Sequence, residues 1–235
     1  VRSDPRLFVA DDLFAQNVVN LTQQQNHYIV NVMRGQLGQS VTLFNGRHGE
    51  WQAQIIAVNK KFASLQVTHL LRDQIVTPEI HLYFSPLKQE PLRFLIEKAT
   101  ELNVTHLHPL KTARTHTTHY NAEKLQRITI EAAEQCERLT LPQWHDILTF
   151  DQLIQCISSV KQAYIADERR PSINITQHDV SLPLHLIIGP EGGFTPDEFE
   201  AFSQLPHVKF IKLSSSILRA ETAALTMLAQ IQQYL

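Results

Sequence analysis

The sequence predicts an α/β protein in two parts: a small strand-rich module, then a larger domain built on a parallel sheet. Three observations carry that expectation. The first third runs as short strands separated by turns. From residue 79 onward, strands alternate with amphipathic helices. The charge divides at the same place. Residues 1–72 hold seven Lys/Arg against four Asp/Glu, and residues 73–235 hold fourteen against nineteen. A basic first third is compatible with a nucleic-acid-binding module, although an imbalance of a few charges also arises by chance.

In the first part, Val41-Thr42-Leu43-Phe44 reads as a strand that runs into the hairpin dipeptide Asn45-Gly46. Trp51 to Val58 reads as a second strand. Asn59-Lys60-Lys61 turns the chain into a third, with Phe62, Leu65 and Val67. His27 to Met33 fits one short helix. Strands at this spacing suggest a small barrel or sandwich. The polar Arg72-Asp73-Gln74, followed by Thr77-Pro78, places the domain boundary between 72 and 73.

In the second part, Ile80, Leu82 and Phe84 alternate as a strand. Leu92, Leu95, Ile96, Ala99 and Leu102 then share one helical face, with Lys98 and Glu101 off it. Val104 to Leu110 returns as a strand, and a helix from about Asn121 carries Leu125, Ile128, Ala132, Cys136 and Leu139. Residues 163–166, 184–188 and 208–213 read as buried strands. Such alternation implies a largely parallel sheet covered by helices.

Composition narrows the function classes. At 43% hydrophobic and 19% charged, the chain reads as an ordinary globular protein able to bury a sizeable core. No apolar run is long enough to span a bilayer, and Val1 to Ala10 lacks a secretory pattern, so no membrane association is expected. Cys136 and Cys156 lie far apart, which fits a reducing compartment and argues against a disulfide framework.

The most informative segment runs from Leu186 to Glu198: a buried strand, the turn Gly189-Pro190-Glu191-Gly192-Gly193, and a helix start. Thr195 and Glu198 have capping-box spacing, and Pro196 falls at the first helical position. Ligands of parallel α/β sheets bind beyond the carboxyl ends of strands, and glycines there let a ligand approach the backbone. The turn lacks the phosphate-loop and dinucleotide glycine patterns, which leaves a nicotinamide dehydrogenase as a distant third reading. The plain alternative is a tight strand-to-helix turn. A second segment repeats the layout: a strand to Leu213, the turn Ser214-Ser215-Ser216, then Ile217-Leu218-Arg219-Ala220-Glu221-Thr222-Ala223 leading into the last helix. Arg219 is a charge among apolar and small residues, able to hold an anion or a polarised carbonyl through its planar fork. Glu221 suits a helix N-terminus by its charge alone.

These residues resemble the RsmE-type family of the knotted SPOUT methyltransferases, which methylates N3 of a uridine in small-subunit (16S) ribosomal RNA. The resemblance spans nearly the whole chain. Pro5 to Val9 looks like the family's first strand and His27 to Gly35 its early helix. Lys88 and Glu97-Lys98-Ala99-Thr100-Glu101-Leu102 match its first long helix. Arg114-Thr115, Glu131 to Gln135 and Arg138 match the middle, and Gly189 to Phe194 with Ile217 to Ala223 match the end. Ser214 and Asn103 stand where the family usually has glycine, and Ser216 near a commonly basic position.

The resemblance implies a PUA-like RNA-binding β-barrel over 1–72 and a SPOUT α/β domain with a deep trefoil knot over 73–235. It also implies S-adenosyl-methionine as cofactor, a cytoplasmic homodimer, and ribosomal RNA as partner. The cofactor would lie against Ile188, Gly189, Glu191, Gly192, Gly193, Leu213, Ser214, Ile217 and Leu218. Arg219 would stabilise the uridine anion. Glu191 would accept the N3 proton, unless its carboxylate binds amides within its own turn. Arg6, Lys88, Arg114 and Arg138 would contact RNA. Two other readings remain open: ribose 2′-O methylation by a related SPOUT enzyme, and an RNA-binding module whose cofactor pocket has degraded. His106-x-His108 and His116-x-x-His119 invite a metal, but no neighbouring acid or cysteine completes a ligand set, so none is expected.

Overall fold

The computed structural model describes residues 4–116, 119–167 and 180–234, and divides them into two compact units. The first comprises residues 1–76 together with 133–141, the second 77–132 and 142–235. The boundary therefore falls four residues later than the sequence suggests, and a distant segment returns to the first unit.

The first unit is a five-stranded sheet in the order β1 (Arg6–Phe8), β3 (Ser40–Phe44), β4 (Glu50–Val58), β5 (Ala63–Arg72) and β2 (Val18–Asn20). Only β1 and β3 pair in parallel; the other neighbours are antiparallel. The three expected strands are present. Alternation buries Val41 and Leu43, Ala53 and Ile55, and Leu65 and Val67 in one core. The predicted helix starts earlier, at Gln23, because Thr22 and Gln25 form a capping box, and it continues as a π-helical turn over Tyr28–Val32. The hairpin loop spans five residues, since Phe44 pairs with Glu50. It closes on Gly49, whose φ is +79°, and a Cβ there would lie 2.3 Å from the Arg72 carbonyl oxygen.

Side chains from two strands hold the segment 133–141 in this unit. The Arg6 guanidinium donates to Glu50 Oε1 at 2.6 Å and to the carbonyls of Ala133 and Arg138, both at 2.8 Å. Its plane lies 3.7 Å from the centre of the Phe44 ring. Arg72 donates to both Glu50 oxygens and to the Glu137 carbonyl. Burial by itself pushes the Glu50 carboxyl up. The hydrogen bonds and charge of Arg72 and Arg6 outweigh it and hold the group below the usual carboxylate range. Composition cannot show such long-range pairing, which is why the boundary reading missed the segment.

The second unit carries a sheet of wholly parallel pairs, ordered β12 (Val208–Ile211), β10 (Ala163–Ala166), β11 (Leu184–Ile188), β6 (Ile80–Phe84), β7 (His106–Lys111) and β8 (Gln143–Trp144), with β9 (Leu148–Thr149) also on β7. One face packs on α2 (Gln89–Glu101), α3 (Ala122–Gln135) and α6 (Ala220–Gln232); the other packs on α4 (Phe150–Ser158) and α5 (Pro196–Ser203). Burying both faces explains why β11 is apolar without alternation, apart from His185. The expected helix face on α2, Leu92, Leu95, Ile96 and Ala99, is buried.

Asn103 has a structural explanation. It follows α2 with φ +58°, its N–H donates to Thr100, and the Val104 N–H donates to Ala99. This is a Schellman ending, whose left-handed position favours glycine and tolerates asparagine.

Candidate functional site

A cavity of about 720 Å³ opens beyond the carboxyl ends of β6, β10, β11 and β12, where a parallel sheet places its ligands. The two segments singled out in the sequence form its walls. Of the residues expected at a cofactor, Ile188, Gly189, Glu191, Gly193, Leu213, Ser214, Ile217 and Leu218 line it, and Arg219 does too. Gly192 does not.

The first wall is held from behind. The Gly193 N–H donates to the Pro190 carbonyl at 2.8 Å, closing the turn. Gly193 has φ +68°, and a Cβ there would meet nothing within 4 Å, so conformation rather than crowding requires the glycine, and its backbone faces open space. Phe194 is buried edge-on against Phe199 and Phe202 and anchors the turn in the core. Thr195 caps α5 with the expected box, and Pro196 sits in its first turn.

Glu198 does more than cap. Its buried carboxylate accepts from the Thr195 N–H through Oε2 and from the Ala113 N–H through Oε1, both at 2.8 Å. Arg114 donates to the Gly192 carbonyl at 2.8 Å and to the Phe194 carbonyl at 3.3 Å. The loop after β7 is thus clipped to the glycine turn at both ends. Glu198 binds backbone amides on both sides of this turn. Glu191 is exposed and lines the cavity.

In the second wall, Ser214 Oγ accepts from the Ser216 N–H at 3.1 Å. Its hydroxyl is engaged in its own turn, so a serine in place of glycine is accommodated there. Arg219 is the N-cap of α6 and is exposed. It makes no side-chain cap, hydrogen bond or ion pair among the described residues. Glu221 lies in the first turn of α6, as its charge suggested.

The four cations expected on RNA separate. Arg6, with a side chain 9% exposed, and Arg138, 7% exposed, are buried within the first unit, so neither offers a guanidinium to a phosphate. Burial pulls the Arg138 pKa down to about 10. Arg114 holds the glycine turn. Lys88 is exposed, sits at the N-cap position of α2 without a side-chain cap, and lines the cavity. A residue matched by family position can be needed for the fold rather than the ligand, and only the contacts tell the two apart. Sequence reasoning also missed Asp167 at the end of β10, which lines the cavity. It follows a strand that was recognised, so its place beyond a carboxyl end was the available signal.

Comparison with known proteins places this geometry. Residues 76–232 match the model of an RNA methyltransferase domain, and residues 21–68 match that of an RNA methyltransferase PUA domain. The chain is 32% identical to ribosomal RNA small subunit methyltransferase E of Rickettsia conorii, over 97% of this chain and 94% of that protein. It is also 32% identical to the protein of that name from Synechocystis, over 98% and 78%. Among solved structures, the Neisseria gonorrhoeae ribosomal RNA small subunit methyltransferase E bound to S-adenosyl methionine superposes with a TM-score of 0.86 at 26% identity, over 98% of each chain. A methyltransferase of Legionella pneumophila in complex with the same cofactor gives 0.86 at 29% identity, over 99% of this chain and 98% of that one. With a family model spanning the larger unit and relatives matching from end to end, the chain belongs to the RNA methyltransferase family that includes the ribosomal RNA small subunit methyltransferases E.

Proposed function

We propose that this protein transfers a methyl group from S-adenosyl-methionine to N3 of a uridine in small-subunit ribosomal RNA, acting in the cytoplasm as a homodimer. The observation that carries the reaction is an exposed arginine without a protein partner among the described residues, at the rim of a cavity walled by a glycine turn. The relatives' names and the cofactor in the two solved structures support the substrate class and the methyl donor. No helix among the described residues is long and apolar enough to cross a membrane.

The residues present fit the donor. Ile188, Leu213 and Leu218 offer an apolar slot for a flat base, and the open backbone at Gly193 lets polar groups of a ligand come close. S-adenosyl-methionine supplies a methyl already activated on a sulfonium, so the protein's task is alignment and handling of the acceptor. Uridine N3 carries a proton at neutral pH and attacks poorly until that proton leaves. Glu191 is the proposed acceptor of that proton. Arg219 is proposed to stabilise the anion through O2 or O4, as the donors of an oxyanion hole do. The positive end of α6 adds to the guanidinium at the same place. N3 lies on the pairing edge, so the uridine must be unpaired or displaced. Lys88 is the remaining cation proposed to reach the RNA, with Arg114 acting mainly on the glycine turn.

The test is to incubate the protein with small-subunit RNA, and separately with assembled small subunits, with labelled cofactor, and map the methylated atom. N3-methyluridine is expected. A methyl on a ribose 2′-oxygen would replace this reading with its SPOUT rival. RNA binding without cofactor binding in calorimetry would point to a degraded pocket.

A further inference from the structure

The amino ends of the same strands carry a second cluster. Across three adjacent parallel strands, His185 of β11 pairs in register with His81 of β6, which pairs with His106 of β7. One step along, Tyr83 pairs with His108. Register and the two-residue period of a strand put all five side chains on one face of the sheet. His145, just after β8, joins them: its Nε2 is 2.9 Å from His106 Nδ1, and its ring stacks on His108. Five imidazoles occupy one layer, at the end of the sheet opposite the cofactor cavity.

The partners explain how they are held. His81 Nε2 is 2.8 Å from Glu79 Oε1, and His81 Nδ1 is 2.9 Å from His108 Nε2. With the Nε2 proton donated to Glu79, His81 Nδ1 presents a lone pair toward His108. A carboxylate that orients one nitrogen while the other points inward is the usual setting of a metal-ligating histidine. One ring nitrogen from each of His81, His106 and His108 lies within 4.8 Å of the other two. The Tyr83 hydroxyl lies 3.1 Å from His185 Nδ1, while the buried His185 Nε2 has no hydrogen-bond partner among the described residues. Imidazole binds metals in its neutral form. An apolar layer would cost less desolvation than five imidazoles beside one carboxylate.

We propose that His81, His106 and His108 bind one zinc-class divalent ion, with Glu79 orienting His81. The ion would tie β6 to β7 at their amino ends. Three imidazole nitrogens suit zinc, cobalt, nickel or copper, with water in a fourth position, and do not suit magnesium. Two nitrogens on a tetrahedral zinc stand roughly 3.3–3.4 Å apart, from Zn–N bonds of about 2.0–2.1 Å. The 2.9 Å pair must therefore open slightly, and His106, whose ring stacks on His81 at 4.3 Å and whose Nδ1 meets His145, must turn out of that stack to ligate. His108 changes tautomer rather than losing a proton, so it stays neutral. In the sequence no acid or cysteine near His106-x-His108 completes a ligand set; the third imidazole, His81, lies on the neighbouring strand.

The experiment uses the full chain without a histidine tag, freed of metal by a chelator. It is titrated with Zn²⁺ by calorimetry and with Co²⁺ by visible absorption. Saturable binding of one equivalent is expected, with a tetrahedral cobalt spectrum and a higher melting temperature in zinc. Mg²⁺ should neither bind nor compete. His108→Asn should abolish the one-equivalent site. Because His108 is buried, the exposed Glu79→Gln is the second variant. It should weaken zinc binding about 10–100-fold and leave the metal-free melting temperature within error. His116→Gln with His119→Gln should change nothing. Absence of stoichiometric binding, competition by Mg²⁺, or wild-type affinity in Glu79→Gln and His108→Asn would overturn the proposal.

Discussion

Arg6 in the first unit and Arg219 in the second carry the same guanidinium and put it to opposite uses. Arg6 is nearly enclosed. Glu50 and two backbone carbonyls take its hydrogen bonds, and a phenyl ring covers its face. Arg219 is exposed at a helix N-terminus, where a cation gains nothing from the dipole, and it has no partner among the described residues. The first cation is consumed by the fold. The second stays exposed at the cavity, where its proposed role is to meet a ligand. Resemblance by position placed both in functional roles; burial and partners separate them.

Substitution at the first site should have the largest effect. Arg6→Ala leaves the buried Glu50 with Arg72 alone and two carbonyls without their donor, and should destabilise the protein by about 3–5 kcal/mol. Urea unfolding measures it. A loss under about 1 kcal/mol would show that the network contributes little and would dissolve the contrast. Arg219→Ala should do the reverse: a melting curve like wild type, with single-turnover methylation slowed roughly a hundred- to a thousand-fold, or about 2.7–4 kcal/mol. Arg219→Lys should restore only part of the rate, since a point charge cannot copy the fork. The Arg219→Ala deficit should narrow as pH rises, because hydroxide then removes the N3 proton unaided. A pH-independent deficit with a lowered melting temperature would make Arg219 a structural residue like Arg6.

A smaller effect sharpens the comparison through acid. The folded pKa of Glu50 lies below its unfolded value. Its contribution is therefore complete above the unfolded pKa and is lost as pH falls through the folded one. The stability gap between wild type and Glu50→Gln should be widest near neutral pH and shrink in acid, as read from urea midpoints. A gap that grows in acid would contradict the ion-pair assignment. The smallest effect belongs to Asn103→Gly, which relieves a left-handed residue at a helix end far from either arginine in sequence. It should raise stability by under about 1 kcal/mol and leave methylation unchanged. A drop in stability would mean that the Asn103 side chain supports the cap.

Local chemistry made much of this protein legible in its sequence. Period-two and helical patterns located β3 to β7, β10 to β12, α2 and α3, because each element buries one face or both and the spacing records it. The start of α5 was readable in Thr195, Pro196 and Glu198. The two segments that wall the cavity were readable because a strand followed by a glycine or serine turn and a helix start is a local arrangement. α4 went unnoticed although it carried the same kind of signal: Thr149 and Gln152 form its capping box, with Leu153 and Ile157 four apart on its buried face. β2, β8 and β9 are two or three residues long and leave no periodicity to read.

Tertiary structure decided what depends on groups far apart in the chain. The return of residues 133–141 to the first unit rests on Arg6 and Arg72, more than sixty positions away. The double clip of Arg114 and Glu198 on the glycine turn joins loops about eighty residues apart. The histidine layer exists only because parallel register sets His81 beside His106 and His185 beside His81. The physical reason is the same in each case. Helix and strand periodicity follow from backbone geometry over a few residues, whereas a side chain's burial and partners follow from which strands lie next to one another. A guanidinium or an imidazole reads identically in the sequence whether it ends up locked in a core or waiting at a cavity.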